Sequence, residues 1–228
     1  MNGEKQLKKM IPLIQNFKTI ILANGNFPTH KIPLEFLVTA HQIICCDGAT
    51  KNLINFGLEP NFIIGDMDSI SEEIKIRFES RLLYNADQET NDLTKAVQFC
   101  FDNKIREITI LGATGKREDH TLGNLSLLAD YAEKLKVQML TDDGVFIPIL
   151  KSSSLESYPG EQISIFSLQP DTIFTFHNLV YPVENRKLNS WWEGTLNEAK
   201  GNSFTINFDK GKVLIFREYN SIHYRLNK

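Results

Sequence analysis

Short apolar runs alternate with amphipathic stretches along the first part of the chain. Thr19 to Ala23 and Gln42 to Cys46 read as buried strands, joined by the turn Asn24-Gly25-Asn26 and a helix-compatible Pro33 to Ala40. The rhythm repeats with a helix at Ala49 to Phe56, a strand at Phe62 to Ile64, a helix near Ser71 to Ser80 and a short strand at Leu83 to Asn85. A helix from Asn91 to Asp102 and a strand from Glu107 to Leu111 follow. Leu122, Leu125, Leu128, Ala129, Ala132 and Leu135 then recur at helical spacing and predict one apolar stripe, ahead of a strand at Val137 to Leu140. Strands alternating with helices predict an α/β fold, a doubly wound and mainly parallel sheet that binds ligands at its carboxyl edge.

Near residue 150 the helical signal fades, and the Ser152-Ser153-Ser154 cluster is a natural joint. Beyond it Ile163, Ile165, Phe174, Phe176, Phe204, Ile206, Phe208, Val213 and Ile215 fall in short alternating runs, with turns at Pro159-Gly160 and Asp209-Lys210-Gly211. Two domains are expected, residues 1–150 as the α/β unit and 151–228 as a small antiparallel β-sandwich.

Composition narrows the setting. Of 228 residues, 42% are hydrophobic and 23% charged, an ordinary balance for a globular protein that buries a core. No apolar run approaches the ~18 residues of a membrane span. The opening Met1-Asn2-Gly3-Glu4-Lys5 lacks a signal-peptide core, so a cytoplasmic protein with no membrane partner is expected. Three cysteines, two of them adjacent at Cys45 and Cys46, read as buried thiols. A formal charge of −3 with scattered Lys and Arg argues against a nucleic-acid partner.

The candidate chemistry lies at the predicted strand ends. Gly65 lets the chain turn after Ile63-Ile64, so Asp66 and Asp68 are expected to project together into the crevice. Asp47 follows the second strand and Asp87 the fourth. Neighbouring carboxylates repel unless a cation lies between them, and hard oxygen ligands suit Mg²⁺. Asp92 and Lys95 stand one turn apart at a helix start, where free N–H groups help hold phosphate. After Leu111 comes the segment Gly112 through His120, whose glycines Gly112 and Gly115 let backbone approach a phosphate and whose Arg117 offers a planar fork. It is not a Walker loop, because the glycines are too close and no Ser or Thr follows Lys116. Asp119 reads either as a helix cap or as a site residue, and His120 as a structural imidazole or a proton carrier.

These residues resemble the thiamine pyrophosphokinase family. The matching segments are Cys46-Asp47-Gly48-Ala49, Gly65-Asp66-Met67-Asp68-Ser69, Asp87-Gln88 with Asp92 and Lys95, and Gly112 through His120 with Asn124 beyond. The resemblance implies a homodimer with active sites shared between subunits, transferring pyrophosphate from ATP to the hydroxyl of thiamine and leaving AMP, with Mg²⁺ required. On that basis Asp47, Asp66, Asp68 and Asp92 are expected to hold the metal, with Arg117 completing the catalytic set. Asn24, Gly25, Gln88, Lys95, Gly112, Gly115, Asp119, His120 and Asn124 are expected around the nucleotide and substrate. The carboxy-terminal domain would then bind thiamine, with Trp192 and Asn197 as its contacts, since an aromatic face suits a cationic thiazolium.

The chain departs from the family at two places. Where the family usually reads Asp-Gln-x-x-Thr-Asp, Asn91 precedes Asp92. The usual carboxy-terminal Ser-Asn pair is replaced by Leu196-Asn197. Two other readings use the same residues: a Mg-dependent phosphohydrolase with Asp66 as aspartyl nucleophile, and a non-catalytic nucleotide or thiamine sensor.

Overall fold

The computed structural model describes residues 14–87 and 89–219, so Gln88 lies outside the described residues. The chain divides into two compact units, Asn16–Asp142 and a second built on the chain from Asp143 onward. That division precedes the Ser152–Ser154 cluster, because the strand Gly144–Ile149 (β7) pairs antiparallel along its length with Val213–Glu218 (β14) of the second unit.

The first unit alternates strands and helices in chain order: β1 (Thr19–Leu22), α1 (Lys31–Val38), β2 (Gln42–Cys46), α2 (Thr50–Asn55), β3 (Phe62–Gly65) and α3 (Glu72–Arg77). It continues with β4 (Leu82–Tyr84), α4 (Asp92–Asp102), β5 (Glu107–Leu111), α5 (Glu118–Tyr131) and β6 (Lys136–Leu140). The strands lie in the order β6-β5-β1-β2-β3-β4, all parallel. Central strands such as Ile20-Ile21-Leu22 and Ile43 to Cys46 are buried along their length, as expected where both faces are covered.

Caps set several helix starts. Ser71 begins α3 by accepting from Ile74 N, Asn91 begins α4 by accepting from Thr94 N, and His30 begins α1 by accepting from Ile32 N at its Nδ1. The apolar stripe of α5 is only partly internal. Leu128 and Ala129 are buried, Leu122 is 52% exposed, and Leu135 is buried beyond the helix end.

The sheet has one reversal of strand order that matters. The chain runs from β1 outward through β2, β3 and β4, then returns so that β5 lies on the other side of β1. Loops leaving such a reversal splay to opposite sides and open a crevice at the carboxyl edge. Here the loops after β1 and β5 remain stitched at their bases, Ala23 N donating to Leu111 O, Gly25 N to Gly112 O and Asn26 N to Thr114 O at 2.6–2.8 Å.

The second unit is an antiparallel sandwich. One sheet has the order β12 (Asn197–Glu198), β9 (Gln162–Ser167), β14, β7. The other runs β11 (Arg186–Lys187), β10 (Ile173–His177), β13 (Ser203–Phe208), β8 (Ser153–Glu156). Ile163, Ile165 and Ile215 from the first meet Phe174, Phe176, Phe204 and Ile206 from the second in one core. The turns at Pro159-Gly160 and Asp209-Lys210-Gly211 are corners between the sheets, since β8 and β13 belong to one and β9 and β14 to the other. Arg217 is buried beneath this core with Glu161, its Nε and Nη2 each donating to the carboxylate at 2.7 Å.

Candidate active site

A cavity of about 460 Å³ opens at the carboxyl ends of β1, β2, β3 and β5, beside the start of α4. Asn24 and Gly25 reach it from β1, Asp47 from β2, Asp66 from β3, and Asp92 and Lys95 from α4. Gly115, Arg117, His120 and Asn124 line it from the β5–α5 side. Drawn from segments far apart in sequence, these groups converge only because parallel strands deliver their ends to one edge.

Asp47 is the most constrained of them. It is 2% exposed, and Gly65 leaves room for it, because a Cβ there would lie 2.7 Å from Asp47 Cγ. One carboxylate oxygen accepts from Gly48 N, while Oδ2 has no hydrogen-bond partner among the described residues. Burial pushes its pKa above the usual carboxylate range; the N–H groups of Gly48 and Ser69 pull down, and the charges of Asp92 and Asp66 push further up. A buried, repelled and half-satisfied carboxylate is what a cation would complete.

Asp66 and Asp68 part company. Met67 between them takes a left-handed φ of 65° and buries its side chain with Ile63, Ile70 and Phe78. The turn is closed by Asp68 N donating to Asp66 Oδ1 at 3.2 Å. Asp66 therefore lines the cavity, whereas Asp68 is exposed and outside the lining, contrary to the expectation that both project into the crevice.

The cations have partners of their own. Lys95, 6% exposed, donates to Asp92 Oδ1 at 3.0 Å across one turn of α4. Arg117 forks onto Asp119, with Nε to Oδ1 at 3.0 Å and Nη2 to Oδ2 at 2.5 Å. That fork, helped by His120 N, holds the Asp119 carboxyl at about 2. Asp119 accordingly does not cap α5; Arg117 is the residue at the cap position, and Asp119 lies in the first turn outside the cavity lining. Lys116, in a left-handed conformation, donates from Nζ to Asn24 Oδ1 at 2.8 Å. Gly112 also turns at positive φ, close under Ala23 O, and shapes the loop from outside the lining.

Several lining groups escaped the reading from sequence. Ser69 and Thr90 line the cavity, as does Asn91. Ser69 lies three residues beyond the strand-end acid Asp66, and Thr90 and Asn91 lie just ahead of Asp92 at the helix start, so the signals that marked those acids stood beside all three. Asp87 follows its strand as expected, but Glu89 N and Thr90 Oγ1 hold its carboxylate in a turn and lower its pKa. Cys46 reaches the cavity too, yet burial and then the charge of Asp92 push its thiol far up, so it is no nucleophile.

Trp192 and Asn197 belong to the sandwich. Trp192 is 73% exposed, while Trp191 donates from its indole to Ser167 O at 2.9 Å and packs edge-on against Phe166. Asn197 is buried, and its amide is already engaged: Nδ2 donates to Tyr181 O, and Oδ1 accepts from Tyr181 N and Glu198 N. Among the described residues no group of three or more His, Cys, Asp or Glu side chains could by itself hold a metal ion.

An open parallel sheet with a polar crevice at its strand reversal, walled by carboxylates and glycine-turned loops, defines a ligand-binding α/β protein of the phosphate-handling kind. Comparison with known proteins sharpens that. Residues 34–139 match the model for "Thiamin pyrophosphokinase, catalytic domain", and residues 144–216 the model for "Thiamin pyrophosphokinase, substrate-binding domain". The chain belongs to the thiamin pyrophosphokinase family. It is 35% identical over 117 residues to the thiamine pyrophosphokinase of Bacillus subtilis, covering 49% of this chain and 54% of that protein. With thiamin pyrophosphokinase 1 of Caenorhabditis elegans it shares 28% identity over 160 residues, 64% of this chain and 65% of that one. These matches thus span less than two thirds of either relative's length. The crystal structure of the Bacillus subtilis protein superposes with a TM-score of 0.72 at 27% identity, covering 88% of this chain and 99% of that one. Yeast thiamin pyrophosphokinase shares the fold with a TM-score of 0.74 at 18% identity, covering 93% and 90%.

Proposed function

We propose that this chain transfers pyrophosphate from ATP to the hydroxyl of thiamine, forming thiamine pyrophosphate and AMP. The observation that carries the reading is the cavity at the strand reversal, where Asp47, Asp66, Asp92, Lys95 and the Gly112–Arg117 loop meet within the stretch that matches the catalytic-domain model. Neither an aspartyl-phosphate hydrolase nor a sensor is found among the relatives named above.

Mg²⁺ fits these donors. The lone Asp47 Oδ2 and the mutual repulsion of Asp47, Asp66 and Asp92 call for a cation. The lack of a three-ligand cluster is no obstacle, since Mg²⁺ takes one or two carboxylates and fills its shell with water and substrate phosphate. Asp47, Asp66 and Asp92 would hold it, with Asp68 left to outer contact through water. Bound there, it would supply charge neutralisation to the phosphate oxygens.

The protein's own part is positioning. Lys95 and Arg117 face phosphate oxygens, Gly25 and Gly115 let backbone close on them, and Asn24, Gln88, His120 and Asn124 orient the bound molecules. The thiamine hydroxyl oxygen bonds to the β-phosphorus and gives up its proton to solvent, the bond from that phosphorus to the α–β bridging oxygen breaks, and AMP leaves. Thiamine's cationic ring stacks on Trp192, in a homodimer whose sites are shared between subunits. Asn197 lies in the same unit as Trp192, where its amide braces Tyr181. Three buried free thiols suit a cytoplasmic protein.

The test is purified protein with ATP, Mg²⁺ and thiamine, scored for nucleotide product. AMP with thiamine pyrophosphate is the expected result. ADP with thiamine monophosphate would overturn it.

A further inference from the structure

Asn91, at the start of α4, makes two contacts from two different side-chain atoms. Its Oδ1 accepts from Thr94 N at 2.8 Å, closing the first turn of α4. Its Nδ2 donates to Asn124 Oδ1 at 3.4 Å. Asn124, one turn and a half into α5, in turn donates from Nδ2 to Ala113 O at 2.8 Å. Three hydrogen bonds thus run in series from the α4 start to the backbone of the glycine loop, and Asn91, Asn124 and Ala113 all line the cavity.

We infer that Asn91 is a positioning residue that fixes the Gly112–Arg117 loop to the α4 start through Asn124. The physical ground is the amide's two separate polar atoms. A carboxamide places an acceptor and a donor at different points, so it can cap a helix and bridge to a neighbour at once. A threonine hydroxyl set beside Thr94 N could donate as well as accept, but only from that one atom, one bond nearer the backbone than the Asn91 amide nitrogen that meets Asn124.

The loop it steadies is already tied to the β1 loop by Gly25 N, Asn26 N and Lys116 Nζ, and none of these bonds reaches α4. Lys116 stands in left-handed conformation at φ 59°, and Gly112 and Gly115 also carry positive φ, so the segment has little local preference for one shape. Gly115 N donates to Thr121 Oγ1 at 3.1 Å, a bond to the loop's own helix. The Asn91–Asn124 bridge is what relates it to Asp92 and Lys95. The inference rests on the function proposed above for its kinetic consequence, while the tie itself is independent of that function.

Full-length Asn91→Thr and Asn91→Ala proteins test it, with Asn124→Ala and the Asn91→Thr/Asn124→Ala double variant. Asn91→Thr retains a cap and is expected to keep the parent Tm, yet to speed amide hydrogen exchange across residues 112–117 in ligand-free protein. It should raise the KM for ATP by ~2- to 10-fold, the range that one neutral hydrogen bond represents, and leave the KM for thiamine unchanged. Asn91→Ala should lose the cap as well and lower the Tm. Adding Asn91→Thr to Asn124→Ala should produce no further loss, because the bridge is already gone. Unchanged exchange across 112–117 in Asn91→Thr, or losses that simply add in the double variant, would overturn the inference. If the parent protein forms no AMP, the functional reading fails, and the exchange data still decide the tie.

Discussion

Asp47 and Gly65 share one space: a Cβ on Gly65 would lie 2.7 Å from Asp47 Cγ and 2.9 Å from its Oδ2. The carboxylate of one strand end can be buried only because the next strand ends in a residue without a side chain. Gly65→Ala should therefore displace Asp47, destabilise the α/β unit by ~1–3 kcal/mol as overpacking does, and raise the Mg²⁺ concentration needed for half-maximal turnover. Urea denaturation and a Mg²⁺ titration would show both effects. Full activity at limiting Mg²⁺ would detach Gly65 from the site.

Asp66→Asn and Asp68→Asn should behave differently. Asp66 lines the cavity and Asp68 does not. Turnover of the first is expected to fall by ~10²-fold or more, the scale seen when a preorganised charged or polar group is removed from a reacting centre, and that of the second by far less. Equal losses would mean that Asp68 swings into the site.

For Asp47→Asn the sign of the stability change follows from its raised pKa. A carboxyl whose folded pKa lies above its unfolded value stabilises the fold while protonated, below the unfolded value of about 4, and loses that contribution as pH rises through the folded value. At neutral pH the ionised group is a burden. The asparagine variant should melt higher than the parent at pH 7, with the gap closing toward pH 4, while its activity collapses. A variant less stable than the parent at pH 7 would show that Asp47 is better satisfied than its geometry implies.

Asp119 engages two of the three Arg117 guanidinium nitrogens and would compete with a phosphate for them. Asp119→Asn weakens the fork it holds and should lower the KM for ATP. Arg117→Lys keeps the charge, loses the paired donors, and should raise that KM by ~10-fold or more, the worth of a charge-assisted hydrogen bond. Steady-state kinetics on both variants decide this, and unchanged values for Arg117→Lys would leave the arginine as a surface ion pair.

The two tryptophans separate binding from packing. Trp192 is exposed, whereas the Trp191 indole is bonded to Ser167 O. Trp192→Ala should leave the Tm alone and raise the KM for thiamine by an amount equivalent to ~1–2 kcal/mol, as for a partly desolvated cation–π contact. Trp191→Ala should lower the Tm. Thiamine that fails to quench Trp192 fluorescence would remove the stacking role.

Much of this protein was legible along the chain. β2 and β5 have the bounds that their apolar runs define, and Ser71 and Asn91 start their helices where cap chemistry predicts. Such features depend on neighbours within a few residues, so the sequence carries them directly. The rule that acids follow strand ends located Asp47 and Asp66, because a parallel sheet gathers those ends without further instruction, and the helix start located Asp92. What only the tertiary structure decided is which way each group faces and what already holds it. Met67 belongs to a core assembled with Ile70 and Phe78, and its burial turns Asp66 inward and leaves Asp68 in solvent. The Asn197 amide is spent on Tyr181, sixteen residues away in sequence, and Arg217 finds Glu161 across the sandwich at a separation of 56. Hydrophobic period and capping are local quantities, whereas the partner of a buried polar atom is fixed by which distant segment folds against it.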